Sequence, residues 1–321
     1  MWLDQLLLRQ KMNRCPISYE EITTGLYSRN GLKKLNARLN SLKPLDFTKE
    51  ELLEEAAARS DKISINGVQP KLSATLSVSD SAFRFVEMNG IFIIKPQQAV
   101  HSNVPENEDL TMRLAEKAQI EVPLHGLIYD KAGALHYFIR RFDRPRPKVK
   151  YPVEDFAQLS GKNRNTKYDS SMEQVSMLVD KYCSFPAIEK VKLFRLTLFN
   201  YLTGNEDMHL KNFSVITKDD ITSLSPGYDL LNSTIILKKA KEEIALPLRG
   251  KKNNLTRKDL VDYFGQERLK LNDQIIEKVL TDIATVIPAW KQEIEVSFLS
   301  MESKKAYIDL IEKRRVKLGL N

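Results

Sequence analysis

The chain has 321 residues, is 42% hydrophobic and 29% charged, and carries a net charge of +8. That length holds one large domain or two ordinary ones with a full core, while two distant cysteines, Cys15 and Cys183, exclude a disulfide framework and a thiolate metal cluster and suit a reducing cytoplasm. No run approaches the ~18 apolar residues of a membrane span, the four histidines lack zinc spacing, and the positive charge admits an acidic, phosphate-bearing or nucleic-acid partner as readily as a plain lysine-rich surface.

In chain order, MWLDQLLLRQKMNR reads as a short amphipathic helix, because Asp4 and Arg9 interrupt its apolar run and no small-residue cleavage site follows. Residues 1–60 read as helical, with Ser18–Glu21 and Thr48–Glu51 each forming a capping box. The second box opens KEELLEEAAAR, whose charges run from acidic to basic as the helix dipole favours. From Ser60 the pattern changes. KLSATLSV alternates as a strand does, and Asn89-Gly90 between AFRFVEM and IFIIKP predicts a hairpin. ENEDLTMRLAEKAQ has helical spacing at Leu110, Leu114 and Ala118, and HGLIYDKAGALHYFIRRF predicts a second hairpin turning near Asp130–Gly133. The proline-rich basic stretch DRPRPKVKYPVED reads as a linker. Helical patterns dominate afterwards, from MEQVSMLVDKYC to KKAYIDLIEKRRVKL, with Pro288 expected to end or kink one of them. FSVIT and SLSPGYDLL read as short strand or loop pieces. The expected class is α+β, with a strand-rich part over 1–142 and a larger, all-helical part over 143–321.

Four pieces carry candidate chemistry. In SINGVQPK, the backbone of Asn66, Gly67, Val68 and Gln69 with Ser64 and Lys71 forms a loop suited to a phosphate. It lacks the second glycine and Lys-Ser/Thr pair of a Walker loop, and an ordinary turn also explains one glycine. Lys95 ends the apolar strand FIIK, where kinases place the ammonium that holds phosphates and where lysines also simply reach for solvent. Glu106 and Glu108, in the helix that follows, are equal candidates to pair with it. In GNEDMHLKN, Asp207 and Asn212 have the D-x-x-x-x-N spacing of a base and a metal-binding amide. Lys211 between them suits a phosphate in flight, and His209 serves either the site or the packing of the loop. Finally, Asp229 in GYDLL keeps an acid in an apolar frame, where a buried carboxylate calls for a cation. Taken in order, the four pieces point to phosphoryl transfer.

The segments SINGVQPKLSATL, FIIKP, RRFDR, EDFAQLSG, GNEDMHLKNFSV, YDLL and LRGKKNNLTRKDL, over about residues 60–265, resemble the HipA family of bacterial toxin kinases. The resemblance implies a two-lobed, protein-kinase-like fold that uses ATP and Mg²⁺ to phosphorylate serine, with aminoacyl-tRNA synthetases as a target class and translation as the process blocked. It makes Lys95 the nucleotide lysine, Asp207 the catalytic aspartate, and Asn212 and Asp229 the metal ligands. RRFDR becomes the hinge, with the backbone near Arg140 and Phe142 reading adenine and Asp143 and His209 beside the nucleotide. Ser64 becomes the autophosphorylated serine. Phosphate there adds up to about two negative charges and should expel the loop from ATP. Arg140 stands where the family often has Glu, and Asn66 where related loops carry a second serine. Only 63 residues precede Ser64, which resembles the short HipT toxins of three-component systems. Those work with a small HipS-like antitoxin and a HipB-like helix-turn-helix protein, so DNA is expected only through the latter. A small-molecule or lipid kinase is the alternative enzyme reading. A basic nucleic-acid-binding module acting through KNRNTKYD or RPRPKVK is the non-enzymatic one, though these runs are short and can be solvated loops.

Overall fold

The computed structural model describes residues 14–59, 70–98, 100–146, 148–237 and 242–320. The N-terminal amphipathic segment and the phosphate-loop residues Ser64, Asn66, Gly67, Val68 and Gln69 lie outside the described residues. The chain divides into two compact units: Met1–Asp109 with Leu124–Arg141 and Val296–Phe298, and Leu110–Pro123 with Phe142–Glu295 and Leu299–Asn321.

In the first unit, the expected helix start at Ser18 does not form. Tyr19 adopts a left-handed φ of 61°, and the Glu21 carboxylate goes to Arg14 at 2.7 Å instead of back to the Ser18 amide. The first described helix, α1 (Arg29–Leu35), begins later, with Ser28 as its N-cap. The second box does form. The Thr48 amide donates to Glu51 Oε2 at 2.6 Å and the Glu51 amide to Thr48 Oγ1 at 3.3 Å, opening α2 (Lys49–Arg59).

The strands of this unit are β1 (Leu72–Ser77), β2 (Ala82–Phe85), β3 (Phe92–Lys95), β4 (His125–Tyr129) and β5 (Leu135–Arg140). They form an antiparallel sheet in the order β2-β1-β3-β5-β4. The β4–β5 hairpin turns where expected, with Asp130 Oδ1 accepting the amides of Ala132 and Ala134. The Asn89-Gly90 hairpin does not exist. Strand β1 lies between β2 and β3, paired Ser77↔Ala82 on one side and Leu72↔Ile94 on the other. Asn89 does turn left-handed, with φ 60°, but Gly90 is needed for a close crossing. A Cβ there would sit 2.0 Å from Ser73 Oγ and 3.0 Å from the Ala74 nitrogen. Phe83, Phe92 and Phe138 meet with ring centroids 5.2–6.2 Å apart, in a core closed by Leu39, Leu45 and Leu52.

Helix α3 (Val104–Lys117) belongs to the first unit up to Asp109 and to the second from Leu110. The second unit is not all-helical. It holds a sheet of β6 (Val153–Asp155), β7 (Ser214–Lys218) and β8 (Ile221–Leu224) in that order. Asp219 and Asp220 both take positive φ, 49° and 62°, the two-residue turn that matches strand twist. Such short strands leave too few residues for alternation to be read from sequence.

Its described helices are α4 (Phe156–Leu159), α5 (Met172–Tyr182), α6 (Pro186–Thr203), α7 (Ser233–Leu237), α8 (Asp273–Val296) and α9 (Met301–Leu318), with a π-helical segment at Lys258–Arg268. Pro288 neither ends nor interrupts α8. Ile283, Ile287, Trp290 and Ile294 are all buried around it, and Trp290 Nε1 donates to the Leu114 carbonyl at 2.9 Å. That packing outweighs the single helical bond proline removes. Among the described residues no helix is long and apolar enough to cross a membrane.

Candidate active site

In the first unit, β3 ends on Lys95, whose Nζ lies 2.6 Å from Glu108 Oε1 on α3, with the glutamate side chain fully buried. Sequence left Glu106 and Glu108 level. Glu106 instead accepts from Gln97 Nε2 at 3.2 Å, and burial raises its pKa. The Lys95 ammonium also lies 5.6 Å from the Tyr137 ring centre. Lys71 is exposed, just before β1. The Arg140 amide donates to Leu124 O and the Arg141 amide to Ile91 O. Neither is available to an adenine edge, which leaves the Phe142 amide as the next donor along the chain.

In the second unit, the buried helix α6 stops because Gly204 turns left-handed, φ 78°. The polar run that follows is a set of ties. Buried Asn205 donates through Nδ2 to Asn200 Oδ1 and accepts the Asp207 amide at 3.1 Å. The Glu206 amide donates to Ser233 Oγ at 2.7 Å. Asn212 Nδ2 donates to the Asp207 carbonyl at 3.0 Å, which leaves its Oδ1 as the amide atom able to accept. The Asp207 carboxylate is 43% exposed, 3.9 Å from His209 Nε2.

His209 is buried. Lys167 Nζ lies 2.7 Å from its Nε2. An ammonium only donates, so Nε2 accepts and the neutral ring carries its proton on Nδ1. That nitrogen is buried without a hydrogen-bond partner among the described residues. Burial is the main cause lowering the His209 pKa. Lys167 acts in the same direction, and both Asp207 and Asp229 oppose it. The two acids therefore act on one ring.

Asp229 is half-buried, so the expectation of a buried carboxylate does not hold. Its backbone is the distinctive feature instead, left-handed at φ 57°, a conformation that costs most L-residues roughly 1–2 kcal/mol. Tyr228 holds the turn. Its hydroxyl donates to the Lys211 carbonyl at 2.9 Å and accepts from Ser214, with the Phe142 ring 5.4 Å away. Asp143 is buried, and its carbonyl accepts the Tyr151 amide. Lys211 was expected beside a phosphate, but its Nζ is tied to Asp155 Oδ2 at 2.9 Å, so that role requires the ion pair to open.

Sequence reading missed Lys167 and Tyr168. They sit in KNRNTKYD, taken there as a solvated or nucleic-acid-binding loop, yet Tyr168 donates its hydroxyl to Asp207 Oδ1. No local signal marks them, because about 40 residues separate them from their partners. Among the described residues no three His, Cys, Asp or Glu side chains cluster for a metal. The donors on hand, the Asn212 amide oxygen and the Asp229 carboxylate, suit a hard cation that keeps part of its water. The orphaned Nδ1–H suits an oxygen-rich ligand.

A strand lysine tied to a helix glutamate, and a loop aspartate and asparagine followed by a further aspartate, are the parts that enzymes of the kinase class use. The comparisons agree. The family described as HipA-like C-terminal domain matches residues 63–290, and the chain belongs to that family. A Haemophilus influenzae protein provisionally named a kinase is 28% identical over 96% of this chain and 98% of its own length. The serine/threonine-protein kinase toxin HipA of Shewanella oneidensis is 28% identical over 53% of this chain, which spans only 43% of that protein. Among solved structures, Shewanella HipA in complex with HipB and operator DNA superposes with a TM-score of 0.67 at 20% identity, covering 87% of this chain and 74% of that one. The Helicobacter pylori proinflammatory kinase CtkA gives 0.52 at 15% identity, covering 70% and 86%. The mixed α/β fold is thus that of HipA and CtkA.

Proposed function

We propose that the chain is an ATP- and Mg²⁺-dependent serine/threonine protein kinase that acts as the toxin of a toxin–antitoxin system. The observation that carries this reading is the tied loop of Gly204–Asn212, which presents an exposed Asp207 while fixing its amide and carbonyl through Asn205 and Asn212. Bound Mg-ATP supplies the phosphoryl group. Asn212 Oδ1 and Asp229 would hold the metal, and Lys95, oriented by Glu108, would hold the nucleotide phosphates. Phe142 would offer its amide to adenine, with Asp143 and His209 near the nucleotide. Asp207 would accept the proton of the acceptor hydroxyl.

The family supports finer readings. An aminoacyl-tRNA synthetase is the proposed substrate, and Ser64 the proposed site of autophosphorylation that expels its loop. A HipB-like DNA-binding protein is a proposed partner, since the Shewanella relative is seen with HipB and operator DNA. A small HipS-like antitoxin is the other. The test is transfer from labelled ATP to the purified chain and to a panel of synthetases. Wild type should label, Asp207→Ala should lose about 10²- to 10⁴-fold, and Asp229→Ala should abolish the Mg²⁺-dependent labelling. Labelling undiminished in Asp207→Ala would end this assignment.

A further inference from the structure

Lys167 and Tyr168 converge on the catalytic loop through four separate contacts. The Tyr168 hydroxyl donates to Asp207 Oδ1. Its ring meets the His209 imidazole edge-on, with centroids 5.1 Å apart. Lys167 Nζ donates to His209 Nε2 at 2.7 Å, and the Lys167 carbonyl accepts the Leu210 amide at 3.2 Å. The Lys167 ammonium in turn lies 5.0 Å from the Tyr168 ring centre, a cation–π distance. Tyr168 itself stays 39% exposed, while His209 beneath it is buried.

We propose that Lys167 and Tyr168 form a clamp that positions the base: Tyr168 fixes the rotation of the Asp207 carboxylate, and Lys167 fixes the orientation and tautomer of His209. This rests on reading Asp207 as the base. An exposed aspartate side chain turns freely about two torsions, and a base must point its second oxygen at one acceptor hydroxyl. A phenol bound to Oδ1 removes that freedom, in the way outer-shell partners orient metal ligands. The phenol stays a donor throughout the working range, because burial and then Asp207 both push its pKa up. Lys167 can only donate, so it excludes the tautomer with a proton on Nε2 and sets the Nδ1 proton in the buried position described above. Both are positioning residues, not catalytic ones.

The test compares Tyr168→Phe, Tyr168→Ala and Asp207→Asn. It measures phosphoryl transfer from labelled ATP to the chain itself and to casein as a probe acceptor, and nucleotide affinity by displacement of a fluorescent ATP analogue. Tyr168→Phe keeps the ring and loses only the hydroxyl. It should lower turnover by up to about a hundred-fold, with unchanged nucleotide affinity and an unchanged Tm, and Tyr168→Ala should be no better. The clamp is refuted if Tyr168→Phe turns over like wild type while Tyr168→Ala fails, since packing alone would then matter. It is equally refuted if Tyr168→Phe is faster, which would make the phenol a block. Full activity in Asp207→Asn would instead remove the base assignment beneath it. For Lys167→Met, ¹⁵N shifts of the His209 ring should move from the Nδ1–H form towards a mixture. An unchanged ring spectrum would remove Lys167 from the clamp.

Discussion

Lys95 Nζ lies 2.6 Å from Glu108 Oε1, with the lysine side chain 12% exposed and the glutamate not at all. An ion pair this enclosed is a poor source of stability but is costly to break from one side, because the remaining charge is left buried. Lys95→Met should therefore destabilise the protein by about 3–5 kcal/mol, and Lys95→Met/Glu108→Met should recover most of that loss. Neither variant should bind ATP as wild type does. Urea denaturation alongside nucleotide binding checks both parts. A double variant that regains nucleotide affinity would remove Lys95 from the site.

Gly204 ends α6 at φ 78°, where a Cβ would meet Leu310 Cδ2 at 2.5 Å and Asn232 Oδ1 at 2.6 Å. Gly204→Ala combines a left-handed L-residue with overpacking, so a loss of about 2–4 kcal/mol is expected from the two effects together. Because Gly204 O also accepts from Thr234, the loop carrying Asp207 should shift and activity should fall further than stability alone explains. Activity assayed well below the variant's Tm separates the two effects.

Asp229 holds its left-handed backbone at the proposed metal position. Asp229→Ala should lose about 1 kcal/mol relative to Asp229→Gly, since only glycine takes that conformation without strain. Both should lose Mg²⁺-dependent ATP binding. Calorimetry with and without Mg²⁺ reports function, and thermal melts report strain. Equal melts would mean that the turn relaxes.

His136 accepts the Gln97 amide on Nδ1 at 3.1 Å, so its Nε2 proton goes to Asp130 Oδ2 at 3.0 Å. The neutral ring is thus fully bonded. Burial, the largest cause, holds its pKa below 6.5, against an opposing pull from Asp130. With the folded value depressed, the unfolded chain takes up the proton first as pH falls. Stability from this residue is present above about 6.5 and declines as pH drops through that value towards the lower folded one. Urea midpoints of wild type and His136→Gln between pH 7.5 and 5 should converge as the medium is acidified. Parallel curves would show that His136 takes no part.

The spacing of Asp207 and Asn212, the strand ending on Lys95 and the β4–β5 hairpin were legible because each depends on residues within a turn or two of chain. The choice of Glu108 over Glu106 was not. The two point in different directions from α3, and only the placement of the helix against β3 selects one. Strand order was equally hidden, since Asn-Gly favours a turn but says nothing about which strand the chain pairs with next, and β1 took the place between β2 and β3. Of the short sheet of the second unit, FSVIT was legible as a strand or loop piece, but β6 and the pairing of the three strands were not, for want of residues to show alternation.

Sequence alone determined the chemical inventory: a lysine, an aspartate and an amide with a further acid, each set in a local frame that covalent spacing imposes. Tertiary structure decided which groups act on which. It tied Lys211 to Asp155, brought Lys167 and Tyr168 onto His209 and Asp207, and turned Asp229 left-handed. Those outcomes depend on contacts between residues far apart in the chain. Such contacts form only when burial of apolar surface offsets the entropy of bringing the segments together, and that is a property of the whole fold and of no local stretch.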